Sequence, residues 1–188
     1  MDRLATRGFT LVELAIVLVI IGIILGGILK GQEIITNAKV KRLVNDYKGY
    51  VAAIYTYQER YGVLPGDDPE ATTRFPDCDT RNGDGDGRMD DEDGTDWGRY
   101  WTHLRCAGII SGSGNKHPTH PFGGRVYINY NDYNLSGHTI CFTNVPGDIA
   151  AIIDSSNDDG NPSKGTIQGD GSATTYDPAR SYNLCFRL

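Results

Sequence analysis

The sequence predicts an α+β fold: one long N-terminal helix packed by a small antiparallel β-sheet with disulfide-tied loops. Three observations predict it. Residues 9–29 form an apolar run of 21 residues with a single charge, Glu13. Apolar residues keep helical spacing beyond that run as far as Tyr61. The rest of the chain is polar and Gly-rich, with short alternating stretches and four cysteines.

The apolar run is long enough to matter by itself. At about 1.5 Å per residue, 21 helical residues span roughly 30 Å, the thickness of a bilayer core. Arg3 and Arg7 precede it, which favours an N-terminus held in the cytoplasm and the bulk of the chain outside. No small-residue cleavage site of the ordinary secretory kind follows; Lys30, Gly31 and Gln32 come next and the helical pattern continues. From Lys30 to Tyr61 there is no proline, and Val40, Leu43, Val44, Tyr47, Val51, Ile54 and Tyr61 recur at spacings of three, four and seven. Lys39, Lys41, Arg42, Lys48 and Glu59 occupy the other face. Gly62 and Pro65 end the pattern. The expectation is one helix over residues 9–61, roughly 80 Å long, whose first half anchors and whose second half is the spine of a globular head. Tyr47, Tyr50, Tyr55, Tyr57 and Tyr61 crowd that spine, and packing against a sheet accounts for them better than electron transport along stacked rings. Gly22, Gly26, Gly27 and Gly31 serve either close helix packing or loosening of the helix outside the bilayer.

Beyond the spine, Thr95-Asp96-Trp97 reads as a helix start, with Trp97, Trp101 and Leu104 on one face and Gly108 as its stop. Residues 125–130 and 138–143 alternate like antiparallel strands. Pro146-Gly147-Asp148 opens a short helix or turn through Ile153, residues 155–164 read as a loop, and 165–168 and 182–187 are weaker strands. A net charge of −6 and an isoelectric point near 5.1 exclude a basic-patch nucleic-acid binder. One apolar run excludes a multi-pass membrane protein. No G-x-S-x-G, phosphate-binding loop or paired catalytic carboxylates are visible, so no enzyme activity is expected.

Arg7-Gly8-Phe9-Thr10-Leu11-Val12-Glu13-Leu14, opening the apolar run, resembles the processing motif of type IV pilins and type II secretion pseudopilins. The resemblance implies a leader of residues 1–8, cleavage between Gly8 and Phe9 by a prepilin peptidase, and N-methylation of Phe9 by the same peptidase/methyltransferase. It implies a transmembrane and filament-core helix half over 9–29 and a head over 30–188, which includes the amphipathic half 30–61. Glu13 would pair with the α-amino group of Phe9 in a neighbouring subunit; read without the family, it is an acid snorkelling at the interface. A carboxylate at mid-bilayer costs about 2.5 to 3.5 kcal/mol on insertion scales, which gives the pairing a physical reason. Self-assembly into a helical filament, an inner-membrane assembly platform, and residence first in the inner membrane and then outside a Gram-negative cell follow from the same resemblance. The alternatives are a secretion pseudopilin or a minor pilin and, from another class, a tethered binding module or enzyme. Tyr61-Gly62-Val63-Leu64-Pro65-Gly66-Asp67 and Trp101-Thr102-His103-Leu104 resemble further stretches of type IV pilin-like proteins.

The charge is concentrated. Residues 77–96 hold nine acids and two bases. Within them, Asn82, Asp84, Asp86, the Arg88 carbonyl, Asp90 and Asp93 fall at the ligand positions of an EF-hand loop, with Gly87 at the sharp turn. Calcium, a hard cation, suits such oxygen donors. Two departures count against it: Asp93 stands where the longer Glu is usual, and Pro76 and Cys78 precede the loop where a helix would, so it is similar to the isolated loops of dockerins. A solvated acidic loop is the alternative. Asp154, Asn157, Asp158 and Asp159 form a smaller acidic group. His103, His117, His120 and His138 are too scattered for a zinc or copper site. Cys78, Cys106, Cys141 and Cys185 lack CxxC spacing, and an even count on an exported head implies two disulfides. Three pairings are open. Cys78–Cys106 would bracket the acidic loop. Cys141–Cys185 would tie the last strand to the sheet and resembles the C-terminal disulfide loop of pilins.

Overall fold

The computed structural model describes residues 10–89, 98–171 and 173–188. Its elements in order are α1 (Leu11–Tyr61), α2 (Ala71–Arg74), α3 (Arg99–Cys106), β1 (Val126–Tyr130), β2 (His138–Pro146), α4 (Gly147–Asn157), β3 (Ile167–Gln168) and β4 (Ser181–Arg187). The chain divides into two units, Met1–Lys39 and Val40–Leu188.

Within the first unit, every described residue of the apolar run is exposed. The helix there is held by its own backbone bonds and by local side-chain bonds of its first turn. In the second unit, α1 continues to the expected end. Gly62, with φ +75°, donates its N–H to the Gln58 carbonyl, closing the last turn in a left-handed conformation that favours glycine. Leu43, Ile54 and Tyr57 are fully buried, with Val40, Val44, Tyr47 and Val51 packed beside them. The apolar stripe read from sequence is therefore the face that packs.

That face meets a four-stranded antiparallel sheet of order β1-β2-β4-β3. Alternation sorts the strands. Val126 and Ile128 of β1, Ile140 and Phe142 of β2, and Leu184 and Phe186 of β4 enter the main core. Tyr127, Cys141 and Cys185 turn to the opposite face, where Leu135 covers them. Tyr47 stacks on Phe186 at 4.5 Å between ring centroids, and its hydroxyl donates to the Arg187 carbonyl at 2.9 Å. β2 bulges between Phe142 and Val145, where Asn144 takes a positive φ.

Several boundaries differ from expectation: β2 runs on past Thr143 to Pro146, and β3 covers only Ile167–Gln168. α3 begins at Arg99 with Gly98 at its N-cap; Thr95, Asp96 and Trp97 lie outside the described residues. α4 runs on to Asn157 instead of ending near Ile153, because the Ser155 hydroxyl donates to the Ala151 carbonyl and the Asn157 amide to the Ile153 carbonyl, so both polar side chains satisfy helix groups. The four-residue α2 stands between the turn after α1 and the acidic loop.

Candidate functional site

Two places carry the candidate residues. Gly8 and Phe9 lie outside the described residues, and Glu13 stands in the first turn of α1. The Glu13 Oε2 accepts from the Thr10 N–H and the Thr10 hydroxyl, both at 2.8 Å, while the Glu13 N–H donates to Thr10 Oγ1 at 3.2 Å. This is a reciprocal capping box, Thr-x-x-Glu, which satisfies helix-start donors that lack partners in the helix ladder. The signal was present in the sequence as Thr10-Leu11-Val12-Glu13, inside the stretch that begins at Arg7.

The second place is the acidic loop. After α1, Leu64-Pro65-Gly66-Asp67 closes a turn in which the Asp67 N–H donates to the Leu64 carbonyl; Pro65 precedes Gly66, whose φ is +92°. Asp68, fully buried, is saturated: its carboxylate accepts from the Tyr57 hydroxyl at 2.7 Å, the Arg74 guanidinium at 2.9 Å and the Glu70 N–H at 2.9 Å. Its neighbour Asp67 faces the loop instead. Asp67 Oδ2 accepts from the Gly87 N–H at 3.1 Å. The Gly83 and Gly85 N–H groups donate to the Asp68 and Asp67 carbonyls. The backbones run so close that a Cβ on Gly83 would collide with Asp67 main-chain atoms.

Two histidines fasten this loop. His103 is fully buried; its Nδ1 accepts from the Gly66 N–H at 2.9 Å and its Nε2 donates to the Arg81 carbonyl at 2.8 Å. His138 Nε2 accepts from the Met89 N–H at 3.1 Å. Burial holds both imidazoles below the usual histidine range, and the neutral ring is the form that can accept. Cys78 is bonded to Cys106 and Cys141 to Cys185, the latter pair directly opposite in the β2–β4 register.

The structure distributes the expected ligand set unevenly. Asp84 and Asp86 come together, and Asp67 joins them: one oxygen of each lies within 4.8 Å of the others. Asn82 is turned elsewhere, its Oδ1 accepting from the Thr72 N–H at 2.8 Å and the Thr72 hydroxyl at 2.9 Å. Arg88 lies with its guanidinium 4.9 Å from the Tyr130 ring centroid and its Nε 3.6 Å from Asp86 Oδ2. Asp90 and Asp93 lie outside the described residues. Burial raises the Asp67 carboxyl above the usual range, the Gly87 N–H opposes this, and the Asp86 and Asp84 charges add to it. Asp67 was missed because it precedes the loop by fifteen positions; its one sequence signal was an acid pair closing the Pro-Gly turn.

The other acidic group is committed. Asp154 accepts from the Gly160 N–H and the Tyr176 hydroxyl, Asp158 from the Thr166 and Ile167 N–H groups, and Asp159 from the Asn161 N–H. These carboxylates stitch the loop after α4 to β3.

A family model, the prokaryotic N-terminal methylation motif, matches residues 3–29. The chain carries the type IV pilin and pseudopilin signature. The matched stretch contains Gly8, Phe9, Glu13 and the apolar run, and the motif implies processing by a prepilin peptidase and assembly into filaments in general. With it, the exposed apolar half of α1 is a membrane anchor before assembly. No curated protein and no solved structure matches the chain.

Proposed function

We propose that this chain is a structural subunit of an extracellular type IV pilus. The peptidase cuts between Gly8 and Phe9 and methylates Phe9, an inner-membrane platform extracts the subunit, and the apolar helix halves bundle in the fibre core with the heads outside. Glu13 exchanges its capping bonds for the Phe9 ammonium of a neighbouring subunit, so that neither charge is buried alone.

The observation that carries this reading is the apolar half of α1. It bears the methylation motif and has no buried side chain along its most apolar 18-residue window. At about 25 cal/mol per Å² of apolar surface, such a helix is stable only when lipid or like helices cover it. Two disulfides and a head with long decorated loops favour a surface fibre over a secretion pseudopilin.

Mass spectrometry of fibres sheared from the native cells tests the proposal. The expected result is a chain that starts at N-methylated Phe9 and is abundant in the sheared fraction, and its loss from that fraction in a Gly8→Val variant. A processed chain confined to membranes points to a pseudopilin or minor subunit, and an uncleaved Met1 overturns the reading.

A further inference from the structure

Among the described residues of the acidic loop region, Asp67 is the one carboxylate that is buried and half-satisfied. It is 5% exposed, and its Oδ1 has no hydrogen-bond partner among the described residues. Leaving such an acceptor unpaired costs about 1 to 3 kcal/mol, more when it is charged. Its other oxygen is held by the Gly87 N–H, so the carboxylate is aimed into the loop that carries Asp84 and Asp86. We propose that Asp67, Asp84 and Asp86 bind one calcium ion, which joins the turn after α1 to the acidic loop.

The donor set fits. Two oxygens on one calcium ion, each about 2.4 Å from it, are at most about 4.8 Å apart, and one oxygen from each carboxylate lies within that separation. All three donors are hard oxygens, which favours calcium over zinc or copper. Magnesium demands tighter, near-ideal octahedral geometry at about 2.0 to 2.1 Å and gives up water reluctantly.

The frame around the ion is already built without it. His103 joins Gly66 to Arg81, Gly83 sits against Asp67, and Cys78–Cys106 closes the loop's origin. The ligand set is therefore not that of a contiguous EF-hand loop. The acid from the preceding turn takes the first place, and Asn82 serves Thr72 instead. The group at Asp154, Asp158 and Asp159 is a contrast within the same chain: equally clustered, but its buried acid, Asp154, accepts at both oxygens, from the Gly160 N–H and from the Tyr176 hydroxyl.

The test uses the full chain in detergent micelles, stripped with EGTA and titrated with CaCl2 by calorimetry and by thermal melting. The expected result is one calcium per chain at this site and a melting temperature about 5 to 10 °C higher at a hundredfold excess over the dissociation constant. Asp67→Asn is expected to bind calcium at least tenfold more weakly while melting no lower than wild type in EGTA, since it removes a buried charge. Asp84→Asn with Asp86→Asn, both on the exposed side of the loop, is expected to abolish the calcium-dependent shift. Asp159→Asn is expected to keep it. Equal wild-type melting in calcium and in EGTA overturns the proposal. So does wild-type affinity in Asp67→Asn, or an equal shift with MgCl2 at the same concentration.

Discussion

The two units of this chain differ in where their stability comes from. In residues 10–39 nearly every residue of α1 is exposed, and large apolar residues such as Ile20 and Ile24 are about half exposed. In residues 40–188 the same helix buries Leu43, Ile54 and Tyr57 completely against a sheet and two short helices. One continuous α1 thus passes from a sequence that needs an external apolar solvent to one that brings its own. The first half is apolar almost throughout, with Glu13 its one charge over residues 9–29, while residues 40–61 carry Lys41, Arg42, Asp46, Lys48, Glu59 and Arg60. What distinguishes them is whether the apolar residues surround the helix or line one face of it.

Breaking the head should leave the bare half untouched. The largest expected effect is from Cys141→Ser with Cys185→Ser. The bond closes a span of 44 residues, and restricting the unfolded chain over that span is worth about 4 kcal/mol in the chain-entropy model. Chemical denaturation of the full chain in detergent, followed by near-ultraviolet signals from the head's aromatic residues, should show that loss.

Next comes a matched pair of truncations on one helix. Leu43→Ala should cost about 2 to 5 kcal/mol through lost burial and a residual cavity, whereas Ile20→Ala should leave the head's melting unchanged. Equal effects from the two would dissolve the contrast.

The smallest expected effect is a pH slope. Burial lowers His103, His117, His120 and His138, so between the ordinary value near 6.5 and their native values the unfolded chain binds more protons than the folded one. Their stabilisation is complete above about pH 6.5 and is lost as pH falls below it. Asp46, Asp67 and Asp154 are raised and act with the opposite sign, in a window that starts from their lower ordinary value. Melting at pH 7.5 and 5.5 should show a lower transition at 5.5. The 10–39 unit contains no histidine and should show no such change.

Much of this arrangement was legible in the sequence, for local reasons. The apolar run, the stripe from Val40 to Tyr61 and the alternation in β1 and β2 each follow a periodicity that a single segment displays. What escaped depended on partners. The helical Ser155 and Asn157 looked like loop residues because their side chains usually compete with the backbone; here they bond back to carbonyls of the same helix. Asn82 fits a ligand position by spacing, but Thr72 holds it. Asp67 reaches the loop only because the Pro65-Gly66 turn and His103 bring two distant segments together. The methylation motif was plain over residues 3–29, yet the capping of α1 by Thr10 and Glu13 lay unread inside it.

The sheet order β1-β2-β4-β3 has a consequence for when the head can form. β4 is the last of the four strands to be synthesised, and it lies between β2 and β3. Until it arrives, β2 presents an open edge, β3 has no partner, and Cys141 has no Cys185 to meet. The head therefore closes only after its entire length has been delivered to one compartment. During delivery the unfinished edge is an invitation to pair with other chains, and a tether that keeps nascent heads apart and on one side of a membrane guards against that.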